Sequence, residues 1–233
     1  RWKLNRGRSI GRDMNLKQSV LFASFFAIVC WGVLKLTPVP VLVDRGNSSH
    51  ALFDVEGKLL SLSLTKDEKY RLYTPLEDIS PEIVESTLLY EDRHFFSHFG
   101  INPVSICRGL LQTIVHPSQP VGGSTLTMQL ARLRLGLQTR SVAGKIKQVF
   151  WALALERHYS KHDILEAYLN LAPYGANVEG VGAASLAYFR KRAETLSPGE
   201  AVSLVEVPQH PSVRVPERRR RSPLDSHELA RVA

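Results

Sequence analysis

Cysteine is almost missing from this 233-residue chain. Cys30 sits in an uncharged apolar run and Cys107 in a later amphipathic stretch. They have no reason to meet, so no disulfide framework is expected, and a lone cysteine in an apolar helix reads as a small core residue. A glycine-rich turn is present at Gly122-Gly123, but no Gly-Lys-Ser/Thr follows, which excludes a P-loop. His94 and His98 have the i, i+4 spacing of a helical zinc site. Phe95 stands where the strong zinc motif has glutamate, and no second ligand set is near, so these histidines read as structural or substrate-orienting. There is no internal repeat. A basic face is also lacking, although the net charge is +8. Residues 1–17 carry Arg1, Lys3, Arg6, Arg8, Arg12 and Lys17 against Asp13, and Glu217 to Arg221 carry four arginines against one glutamate. These two tails account for the whole excess, so no nucleic-acid partner is expected.

Charge is absent again between Lys17 and Lys35, over QSVLFASFFAIVCWGVL. A helix of that length reaches roughly 26 Å, and flanking lysines close the gap to a ~30 Å hydrocarbon core. With no small-x-small cleavage site before Pro38, residues 18–36 read as an uncleaved transmembrane signal anchor. The basic flank places residues 1–17 in the cytoplasm and residues 37–233 outside it. Short strand-like segments around Gly46 and Gly57 make residues 37–75 a small juxtamembrane β segment. From Ser80 the pattern turns helical. Ser80-Pro81, the capping box Ser160 to Asp163, and Ser197-Pro198-Gly199-Glu200 are helix starts, while the stretch around Leu133–Leu137 reads as a loop or a helix entry. Residues 76–216 form the main domain, and 217–233 a basic tail low in apolar content.

Two stretches carry chemistry. In EDRHFFSHFG, Glu91 lies eight residues after Ile83, seven after Val84 and three after Leu88, on the apolar face of the helix from Pro81. A carboxylate there is partly desolvated, as a general base requires, or is hidden by a salt bridge. Asp92 points about 100° away, so the adjacent carboxylates do not act as a pair on one atom. In GGSTLTMQL, glycines allow close backbone approach, and Ser124, Thr125 and Thr127 offer hydroxyls at a helix start. Exposed N–H groups with hydroxyls suit a phosphate or a sugar, or are only a capped helix.

In this order, EDRHFFSHFG, GGSTLTMQL, RSVAGKIKQVFWALALERHYSKHDILEAYLN and NLAPYGANVEGVGAASLAYF resemble the peptidoglycan glycosyltransferases of family 51, and GGSTLTMQL with GKIKQ resembles the penicillin-binding protein 1C branch. The resemblance implies a mainly α, lysozyme-like fold, here with the β appendage and the transmembrane helix. It implies polymerisation of lipid II into β-1,4 glycan strands at the periplasmic face of the bacterial inner membrane. Partners would be lipid II, the growing glycan strand, the membrane and other cell-wall synthesis proteins. By this likeness Glu91 is the general base. Lys145 matches the lysine that counters the leaving pyrophosphate, a form of electrostatic preorganisation. Ser124, Thr125 and Gln129 would line the substrate cleft, Arg108 matches a substrate-binding arginine, and His98 and Gln148 fall in the same motifs.

The third motif departs from the family's Arg-Lys-x-x-Glu: Gly144 replaces the arginine and Gln148 the glutamate, while Met128 replaces a glutamine of the second motif. A divalent cation, Mg or Mn, is the one cofactor the likeness leaves open. Bifunctional relatives carry a second, transpeptidase domain; none is expected here. The only Ser-x-x-Lys, Ser63 to Lys66, lies in a strand-like segment with no Ser-x-Asn or Lys-Thr/Ser-Gly after it. Two other readings stand beside the glycosyltransferase: a lysozyme-like glycan hydrolase and a catalytically weak membrane-anchored scaffold.

Overall fold

The computed structural model describes residues 21, 24–25, 31–57, 59–115, 123–139, 141–175 and 177–209, at 110–115 and 209 by the backbone alone. The tails expected at 1–17 and 217–233, and most of the expected anchor, lie outside the described residues. The chain divides into two units, residues 1–39 and 40–233. In the first, residues 31–36 are helical, and Thr37 closes the turn by donating both its N–H and its hydroxyl to Val33 O, at 3.0 and 2.7 Å. Among the described residues no helix is long and apolar enough to cross a membrane.

The second unit is mainly helical with a small β component, as expected. It opens with a hairpin: β1 (Ala51–Phe53) pairs antiparallel with β2 (Leu59–Leu62), with a register irregularity at Leu52/Phe53. β3 (Tyr70–Arg71) does not join them. It runs parallel to β4 (Val178–Glu179), more than a hundred residues downstream. Charge reinforces this two-residue ladder, since Glu179 accepts from Lys69 Nζ at 2.6 Å and from Arg71 Nε at 2.5 Å. The β segment is thereby tied into the helical unit.

Between β3 and β4 the described residues form five α-helices. The first, α1 (Pro81–Glu91), starts where its local chemistry dictates: Ser80 caps it by accepting from Ile83 N, and Pro81 takes the first helical position. Next are α2 (Pro103–Val115), α3 (Leu126–Leu135), α4 (Val142–His158) and α5 (Lys161–Leu171). After β4 follow α6 (Val181–Phe189) and α7 (Pro198–Val205). The capping boxes at Ser160/Asp163 and Ser197/Glu200 both form. The segment around Leu133, read as a loop or a helix entry, is instead the end of a helix that runs through Leu135. It ends at Gly136, whose left-handed φ of 60° supplies the stop.

The core lies where α3, α4, α5 and α6 meet. Leu126 and Leu130 of α3, Leu155 of α4, Leu165 and Leu169 of α5 and Leu186 of α6 are all buried. Fully burying each such side chain contributes about 1.5–3 kcal/mol. α1 packs against α7 across the domain. The consequence for function is rigidity at one place: α3 is buried along most of its first two turns, and it carries the second motif.

Candidate active site

The C-terminal end of α1 is fixed to the start of α3. Asp92 caps α1, its N–H bonding to Leu88 O, and its own backbone has already left the helical conformation. Its carboxylate accepts from Leu126 N at 3.0 Å, satisfying a donor that helix geometry leaves without an intrahelical partner. His98 Nε2 lies 2.9 and 3.1 Å from the two oxygens of the same carboxylate, in position to donate. His98 does not share a helix face with His94, because only the 3-10 turn Phe95–Ser97 separates them. Its Nδ1 is buried with no hydrogen-bond partner among the described residues. Thr125 completes the junction. Its hydroxyl donates to Gly100 O at 2.6 Å and accepts from Met128 N at 3.2 Å.

This junction positions Glu91. Its carboxylate is half-buried, in the row Ile83, Thr87, Glu91 that α1 turns inward. Gln129 Nε2 donates to Glu91 Oε2 at 2.7 Å. Behind Gln129, the Tyr168 hydroxyl lies 3.5 Å from its Oε1. Burial first, then the negative charge of Glu91, raises the pKa of Tyr168 well above the ordinary phenol value, and the same two causes raise Tyr174. Both phenols therefore remain neutral at neutral pH.

Lys145, on the first turn of α4, faces the other side of the same helix start. Its Nζ donates to Ser124 Oγ at 2.7 Å and to Gln148 Oε1 at 2.9 Å. Gln148 is 1% exposed and donates its Nε2 to Met128 O at 2.7 Å. Partial burial of the ammonium, and then the nearby charge of Arg132, lower the pKa of Lys145. Ser124 lies just before the N-cap Thr125 and Gln129 on the first turns of α3. A base from α1 and a cation from α4 are therefore each held by a partner at the start of α3.

Of the residues singled out from sequence, Glu91, Gln129, Ser124, Lys145 and Gln148 come together around the N-terminal half of α3. The polar atoms of Thr125, Gln148 and His98 face inward, although His98 Nδ1 finds no partner there. Arg108 is exposed on α2 and makes no hydrogen bond with Lys145, Gln129 or Gln148. Sequence reading missed two residues. Asp92 was dismissed as pointing elsewhere, although a carboxylate just before a helix junction is a ready cap. Arg132 lies three residues after Gln129, a spacing that puts both on one helix face. The place of the family's glutamate does not fit a divalent cation. Gln148 has both ends of its amide engaged, an ammonium already sits against its oxygen, and no group of three or more His, Cys, Asp or Glu gathers among the described residues.

A family model described as Transglycosylase matches residues 56–230. Penicillin-binding protein 1C of Escherichia coli (strain K12) is 41% identical over 191 residues, 82% of this chain and 24% of that protein. Penicillin-binding protein 1A of Vibrio cholerae is 35% identical over 165 residues, 71% of this chain and 20% of that protein. Penicillin-binding protein 4 of Bacillus subtilis is 32% identical over 165 residues, 71% of this chain and 26% of that protein. The chain thus spans 20–26% of the length of these curated relatives. On the extent of the family match and the identity to these relatives, the chain belongs to the transglycosylase family.

Proposed function

We propose that this chain is a peptidoglycan glycosyltransferase that polymerises lipid II into β-1,4 glycan, on a lysozyme-like helical domain held at the periplasmic face of the inner membrane by a single N-terminal anchor. The observation that carries the reading is the pairing of a carboxylate base with a cation on opposite sides of one helix start: Glu91 held by Gln129, and Lys145 held by Ser124.

The chemistry follows from that pairing. The ionised Glu91 carboxylate removes the proton of the acceptor sugar's 4-hydroxyl. The oxygen, with its electron pair, attacks the anomeric carbon of the donor sugar, forming the new glycosidic bond. The bond from that carbon to the pyrophosphate oxygen breaks, and the lipid pyrophosphate leaves with the electron pair. Lys145 and Arg132 counter the charge that develops on it, in place before the reaction begins. Gln129 orients the base, while Asp92, His98, Thr125 and Gln148 position α3 and Lys145 without touching substrate. No step is routed through a metal ion.

A glycan hydrolase has no pyrophosphate to stabilise and no use for two converging cations. Incubating the purified protein with lipid II, and separately with finished glycan strands, separates the readings. Polymer from lipid II with strands left intact is expected. Cleaved strands and no polymer would overturn the proposal.

A further inference from the structure

The seat of Lys145 carries no compensating charge. Lys145 forms no ion pair within 4 Å among the described residues; its partners are a hydroxyl and an amide oxygen. The charge that lowers its pKa is that of Arg132, of the same sign. The carboxylate of Glu91 is engaged by Gln129 instead. Gln148 suits the seat because it has two different ends. Its oxygen faces the ammonium and its NH2 faces Met128 O. A carboxylate in the same place would turn lone pairs toward that carbonyl and would neutralise Lys145.

Gly144 is bound up with this arrangement. A Cβ built there would lie 1.9 Å from Gln138 O and 3.2 Å from Ser141 Oγ. The carbonyl of Gln138 thus occupies the space of a side chain, and no cation can stand at position 144. The family pattern that the third motif resembles has an arginine at 144 and a glutamate at 148. This chain lacks both, so one positive and one negative charge are removed together and the net charge of the turn is unchanged.

We infer that Gly144 and Gln148 act jointly as an uncharged seat for Lys145, which positions the ammonium while leaving its full charge available to a pyrophosphate. This inference rests on the function proposed above, and Gln148 is a positioning residue in it. A glutamate at 148, with no arginine at 144 to pair with, would take Lys145 as its partner.

The test compares Gln148→Glu with Gln148→Met, an uncharged side chain of similar length. Two quantities are read: turnover of lipid II, and the pH at which Lys145 becomes reactive to a small acylating anhydride, followed by mass spectrometry. In Gln148→Glu the reactive pH should move up, because a carboxylate favours the charged amine. Turnover should fall by about 10- to 100-fold, less than the about 10²–10³-fold cost of removing a charge-stabilising donor outright. Gln148→Met should melt at a lower temperature, since Met128 O loses its donor, yet keep more turnover than Gln148→Glu and show no upward shift. Turnover in Gln148→Glu equal to or above that of Gln148→Met, or an unshifted reactive pH, overturns the inference. If Gln148→Met does not fold, the labelling shift between wild type and Gln148→Glu decides alone. A wild type that makes no polymer, together with the expected labelling shift, would overturn the proposed activity and leave the seat standing.

Discussion

Replacing Asp92 by alanine should do more damage to the fold than its place beside Glu91 suggests. Its side chain is 5% exposed and serves two elements at once. Without it, the N–H of Leu126, a residue with no exposed surface, loses its acceptor at the start of α3. An unsatisfied buried donor costs about 1–3 kcal/mol. Loss of a negative charge at a helix N-terminus adds about 0.3–1 kcal/mol. With a melting-temperature shift of about 2–4 °C per kcal/mol in a chain of this size, a fall of about 3–16 °C follows. Circular dichroism melts of the purified protein measure it, with Glu85→Ala, an exposed position on α1, as the control. Asp92→Asn should be milder, because its oxygen can still accept from Leu126 N and its amide can face His98. Activity should decline with Asp92→Ala even below the melting range, since α3 carries the Gln129 that holds Glu91. An Asp92→Ala protein melting together with Glu85→Ala would refute the view that this carboxylate caps α3.

Three further outcomes follow from the site. Gly144→Ala, which at an open helical position would stabilise by about 0.4–1 kcal/mol, should instead lower the melting temperature and the turnover, because the new methyl meets Gln138 O. On the alkaline side, polymerisation should fall at a pH below the ordinary lysine value of 10.5, as the Lys145 ammonium, half-buried beside Arg132, Ser124 and Gln148, loses its proton. The fold should persist there. Tyr168 and Tyr174 have raised pKa values, so their contribution to stability is fully present below the unfolded phenol value of 10 and is lost only as pH rises above it. Parallel pH profiles of turnover and circular dichroism check this order, and simultaneous loss of both signals would contradict it. Chelation with EDTA should leave polymerisation unchanged, as no metal fits at Gln148; abolished activity, restored by Mg or Mn, would place the leaving-group charge on a metal.

The helix starts were legible in the sequence because capping is local. Ser80-Pro81, Ser160/Asp163 and Ser197/Glu200 each satisfy donors within four residues. The end of α3 was misread because Leu133 to Leu135 carry no periodicity of their own, and only the left-handed Gly136 stops the helix. The parallel pairing of β3 with β4 was invisible, since two residues cannot show alternation and their partners lie over a hundred positions apart. Within the site, residue types and motif order named Glu91, Gln129, Ser124 and Lys145. Which of them touch was not legible. The Gln129–Glu91 bond spans 38 positions and depends on the junction made by Asp92, Thr125 and Gly100. Inward-facing residues such as Thr125 and Gln148 look like surface ligands in a motif, because sequence records a polar side chain without recording what satisfies it.

The central claim is that Glu91 is the base and that α3 only holds it in place. Its most direct test is the turnover of lipid II by Glu91→Gln, measured beside its melting temperature. The amide keeps the size of the side chain and an oxygen that can accept from Gln129, but it cannot take a proton. A fall in turnover of about 10²–10⁴, the contribution of a general base, with an unchanged melting temperature, is the predicted result. Near-normal turnover in a folded Glu91→Gln protein would contradict the account.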